Sequence, residues 1–109
     1  MRLLGVNTLE TKHPRRLPEP LGLEASTFTR RHVEGCHITL GFDRERRDDY
    51  HRVLAYVFIG DWCLNEELIR DGYSQAETRF PYSSVMKSRF RAAEQQARDE
   101  RRGLWVAAD

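Results

Sequence analysis

Hydrophobic and polar positions alternate in blocks along the chain, and each block predicts an element. RLLGV (2–6) reads as a short strand, its period blurred by the adjacent Leu3 and Leu4. From Thr11 to Pro20, Pro14, Pro18 and Pro20 hold the backbone extended and interrupt any helix. Between about Leu21 and Glu34, Leu21, Ala25, Phe28 and His32 share one helical face, and Gly35 supplies the stop. HITLGF (37–42) alternates Ile38, Leu40 and Phe42 with polar or small residues, the pattern of a half-buried strand. HRVLAYVFI (51–59) is apolar on both faces from Val53 onward, which predicts a central strand covered on both sides.

Gly60-Asp61 then predicts a tight turn, and Leu64, Leu68 and Ile69 a short helix ending at Asp71-Gly72. The stretch to Pro81 has no clear period. Ser83 or Ser84 caps a long final helix carrying Met86, Phe90, Ala93, Ala97 and Leu104 on one face, with Gly103 as its end. Glu94 and Arg98 form an i,i+4 pair on its exposed side. The order is strand, helix, strand, strand, helix, helix. Three strands cannot close a barrel, and their bare edges would be sticky.

The chain has 109 residues, which suits one domain, residues 1–109, with a real core. Eighteen Lys and Arg stand against seventeen acids, a formal net charge of +1, so any affinity for nucleic acid must come from local clustering rather than overall charge. No run is long enough to span a membrane and no signal-type segment opens the chain, so it reads as cytoplasmic or as a mature fragment. Cys36 and Cys63 lack metal-binding spacing and read as two buried free thiols, with a disulfide between them as the alternative.

Arg2, Asn7, Glu10 and Arg52 form a set with chemical sense. Guanidinium forks hold and neutralise a phosphate, a carboxylate orients an attacking water, and a divalent cation held by oxygen ligands offsets developing charge. That set fits phosphodiester hydrolysis, although arginines and glutamates at such spacings are common. The plainer readings are a surface ion pair between Arg2 and Glu10, a solvated loop for DRERRDD, packing roles for Tyr50, Tyr73, Tyr82, Trp62 and Trp105, and ordinary histidines at His13, His32, His37 and His51.

RLLGVNTLETKHP, PLGLEASTFTRRHVEG, YHRVLAYVFI, WCLNEELIRDGY and RRGLW occur in an order and at spacings that resemble the staphylococcal nuclease (thermonuclease) family from Arg2 to about Trp105. The resemblance implies an α+β fold, an OB-type five-stranded barrel with three helices whose first two strands this chain lacks. It also implies roles. Arg2 and Arg52 match the phosphate-binding arginines, and Glu10 the general base or water-orienting glutamate. Asn7 and Thr8 occupy calcium-ligand positions, and Tyr50 lies near the nucleotide phosphate. Lys12, Arg15 and Arg16 fall where the family has basic residues flanking the site.

Two departures shape the expectation. Asn7 stands where the family has a calcium-binding aspartate, and the family's other calcium aspartate lies upstream of the matching region. An amide brings no charge, so Ca2+ binding is expected to be weak or absent. The implied function is a calcium-dependent endonuclease hydrolysing DNA or RNA with weak or lost activity. The alternative is a non-catalytic OB-like module that binds nucleic acid or protein. A homodimer or strand exchange that completes the barrel is a further expectation.

Overall fold

The strand Leu54–Ile59 (β4) is the spine of the molecule, as its two-sided apolar pattern predicts. Leu54, Ala55, Tyr56 and Val57 are all buried. This computed structural model describes residues 2–7, 20–43, 47, 52–79 and 81–106. On β4 pair three short strands: Arg2–Leu3 (β1) in parallel, Thr39–Gly41 (β3) antiparallel, and Trp62–Cys63 (β5) antiparallel across the Gly60-Asp61 turn. A second sheet of two strands joins Val6–Asn7 (β2) to Gln75–Ala76 (β6).

Three helices cover this frame: Pro20–Val33 (α1), Leu64–Arg70 (α2) and Ser84–Asp99 (α3). Met86, Phe90, Ala93 and Ala97 of α3 are buried, as are Leu64, Leu68 and Ile69 of α2. Ser83 caps α3 by accepting from the Met86 N–H at 3.3 Å. At its far end Leu104 N donates to Gly72 O at 2.8 Å. The backbones meet so closely there that a Cβ on Gly72 (φ +84°) would strike the Arg102 carbonyl.

Several expectations need correction. The strand read over 2–6 is two strands broken by a turn at Leu4-Gly5. The last helix ends at Asp99 rather than Gly103. Arg101 takes positive φ, and Leu104 belongs to the 3-10 turn Gly103–Trp105. Strands β5 and β6 are hidden in sequence because two residues carry no period. Ile38, Leu40 and Phe42 are 41%, 39% and 45% exposed, more open than a half-buried strand implies. Cys63 is buried but Cys36 is exposed, and both are free thiols. His32, expected on the inward face of α1, is exposed and stacks on Trp62 with ring centroids 5.3 Å apart.

The fold is therefore α+β, a mixed sheet with three helices. Among the described residues the strands form two separate sheets rather than one closed barrel.

Candidate active site

The parallel pairing of β1 with β4 sets the frame of the site. Arg2 N donates to Val53 O at 2.7 Å and Leu4 N to Ala55 O at 2.9 Å. In this register Arg2 lies beside Leu54, two residues from Arg52. Arg52 lies just before β4, two residues ahead of Leu54, the partner of Arg2. Fifty residues separate the two arginines in sequence. Both are half-buried, which leaves part of each side chain open to solvent.

What holds β1 in place is the buried Asn65 of α2. Its Nδ2 donates to Leu4 O at 2.8 Å and Ala55 O at 3.1 Å, while Oδ1 accepts from Val57 N at 2.9 Å. The turn that follows depends on Gly5. Its φ is +75°, and a Cβ there would collide with the Phe90 ring and crowd the Tyr82 hydroxyl. The chain then enters β2, where Asn7 lies opposite Gln75.

Glu77 joins this corner unannounced by the sequence. Its N–H donates to Gly5 O at 2.8 Å, and its side chain is only 8% exposed. Arg79 grips the carboxylate through two nitrogens, Nε to Oε1 at 2.9 Å and Nη2 to Oε2 at 2.7 Å. Those hydrogen bonds, helped by the nearby positive charge of Arg2, hold the carboxyl down at about 2. The Tyr82 hydroxyl donates to the Glu77 carbonyl, and burial pushes that phenol up to about 12. The only signal in sequence is an E-T-R triplet in an aperiodic stretch.

Of the expected site residues, the structure sets Arg2 on β1, Arg52 two residues before β4 and Asn7 at the end of β2. Thr8, Glu10, Lys12, Arg15, Arg16 and Tyr50 lie outside the described residues. Among the described residues no group of three or more His, Cys, Asp or Glu could hold a metal ion. The described part of the expected calcium set is thus Asn7, a neutral amide, while its other members lie outside the described residues.

The family described as "Staphylococcal nuclease homologue" matches residues 1–107, a span that includes β1, β4 and all three helices. The chain belongs to that family. It is similar to the "Thermonuclease" of Staphylococcus hyicus, 35% identical over 105 residues that make up 96% of this chain and 62% of that protein. "Endonuclease YncB" of Bacillus subtilis (strain 168) is 32% identical over 106 residues, 96% of this chain and 50% of the relative. "SPbeta prophage-derived endonuclease YokF" of the same organism is 31% identical, again over 96% of this chain but 36% of the relative. The chain thus spans less than two thirds of each of these proteins. Within the family, this is a nuclease-like domain.

Proposed function

We propose that this domain binds DNA or RNA and hydrolyses its phosphodiester bonds, as the names of its relatives indicate for them. The observation that supports the reading is the β1–β4 register, which pairs Arg2 with Leu54, two residues after Arg52. Two guanidinium groups suit one phosphodiester, each offering planar N–H forks to its oxygens. They neutralise the ground-state charge and stabilise the charge that develops as the bond to phosphorus forms. Glu10 orients or deprotonates the attacking water. Lys12, Arg15, Arg16 and Tyr50 are assigned to the flanking nucleotides.

Calcium, when bound at Asn7 and Thr8, supplies charge stabilisation. Without an aspartate at position 7, its dissociation constant is expected at the millimolar end of protein sites. Turnover is accordingly low. The domain comprises residues 1–109 and derives from an OB-type barrel. The exposed row Ile38, Leu40 and Phe42, flanking and including edge strand β3, supports closure of that barrel by strands from a second copy.

The test is a calcium titration of single-stranded DNA cleavage, with Glu10→Gln and Arg2→Ala as controls. Calcium-dependent cleavage lost in both controls supports the reading. Salt-sensitive DNA binding without any cleavage favours a nuclease-like fold kept as a binding module, the reading that Asn7 supports.

A further inference from the structure

Glu77 and Arg79 are paired in an unusual way. Glu77 is the buried acidic residue among those described, and a carboxylate in that position is costly unless it is fully hydrogen-bonded. Arg79 satisfies it with a side-on grip, and its own backbone N–H adds a third bond to Oε1 at 3.0 Å. Yet the Arg79 side chain is 86% exposed. The anion is sunk in the protein while the cation stands outside, held rigid. An ordinary surface pair has both partners in water and contributes little.

The grip uses Nε and one edge of Nη2, so the Nη1 amino group faces away from the carboxylate. Glu77, the residue that Arg79 grips, is itself anchored by two contacts: β6 pairs with β2 just before it, and its N–H bonds to the Gly5 carbonyl in the turn between β1 and β2. Arg79 therefore belongs to the corner that begins with Arg2, and the same carboxylate feels both cations.

The geometry points to Arg79 as a third phosphate-holding arginine, locked in place by Glu77, that contacts a phosphodiester next to the scissile one on the same single strand. This rests on Arg2 serving the scissile phosphate, as proposed above. A fixed guanidinium loses little rotamer freedom on binding, so its contact adds affinity that a free surface arginine would partly forfeit. Glu77 is a positioning residue and touches no substrate.

The experiment measures single-stranded DNA binding in EDTA across a salt series, then cleavage with calcium, for the wild type and for Arg79→Ala, Arg79→Lys and Glu77→Gln. For Arg79→Ala the expected result is a rise in Kd and KM of about three- to tenfold. The slope of log K against log salt should shrink by about 0.7, one single-strand phosphate contact. The loss falls on KM, whereas Arg2→Ala loses kcat. Arg79→Lys restores the slope but only part of the affinity, because lysine lacks the fork. Glu77→Gln raises KM while its salt slope stays near the wild-type value, since the Arg79 charge remains.

A wild-type Kd, KM and slope in Arg79→Ala, with wild-type cleavage intact and Arg2→Ala inactive, overturns the assignment of Arg79 and leaves the nuclease reading standing. A wild-type protein that neither binds nor cleaves single-stranded DNA overturns the nuclease reading and this inference with it.

Discussion

The side-chain amide of Asn65 donates to the carbonyl of Leu4 at 2.8 Å, tying the strand that carries Arg2 to the first turn of α2. The same side chain serves Ala55 O and Val57 N, so one buried residue satisfies backbone groups on β4 and in the turn after β1. Asn65→Ala leaves all of them without partners in a dry interior. The expected cost is about 3–5 kcal/mol, read as a fall in the urea midpoint. Asn65→Asp, which keeps the acceptor but loses the donors, should fall between the two proteins at neutral pH.

Gly5→Ala tests the turn that follows. The new methyl faces both a positive φ and the Phe90 ring, which cannot move within a fully buried core. Destabilisation of about 2–4 kcal/mol is expected. Because β1 and β2 must separate to relieve it, single-stranded DNA binding should weaken in the fraction that stays folded.

Acid should weaken the Glu77 corner in a definite window. The folded-state carboxyl sits near 2, against 4.5 for an ordinary glutamate, so its stabilisation is complete above about pH 5. It is lost as pH falls through the folded value. Glu77→Gln removes that dependence, so the gap between wild type and variant should narrow from pH 5 to pH 2. Because Arg79 is exposed, the gap at neutral pH is expected to be small. Thermal unfolding of both proteins across that range checks it.

Asn7→Asp should tighten calcium binding by roughly an order of magnitude, since it adds a negative ligand to a neutral set. Calorimetry reads this directly, apart from any change in cleavage. An unchanged affinity would show that charge at position 7 does not limit the site.

The two cysteines should differ sharply in reactivity. Cys36 is exposed, whereas Cys63 is fully buried and its thiol is pushed up by that burial. A disulfide reagent should label Cys36 quickly in the native protein and reach Cys63 only on unfolding.

Long periodic elements are legible in the residue pattern alone. α1, β4 and α3 appear where the apolar spacing puts them, and Ser83 caps as its position implies, because each pattern repeats over several turns or pleats. The breaks are not legible. Nothing in RLLGVN distinguishes one strand from two, since the turn is imposed by Phe90, far along the chain, packing on Gly5. The same holds for the site. Arg2 and Arg52 are recognisable through motif resemblance, but the parallel register that sets Arg2 opposite Leu54 is one that no local pattern encodes. Glu77 carries no such signal because burial, which makes its pairing with Arg79 meaningful, is a tertiary property.

The contact between Gly72 and the Arg102–Leu104 segment has a consequence for biosynthesis. The end of α2 is latched by a backbone bond from a residue more than thirty positions later. β1 likewise waits for β4, which is translated some fifty residues after it. On a ribosome that releases the chain from its beginning, neither join can form until late, and the latch needs Leu104 to have cleared the exit tunnel. β1 therefore waits through much of synthesis for its partner strand, and the corner around Gly5 is assembled only once α3 brings Phe90 against it.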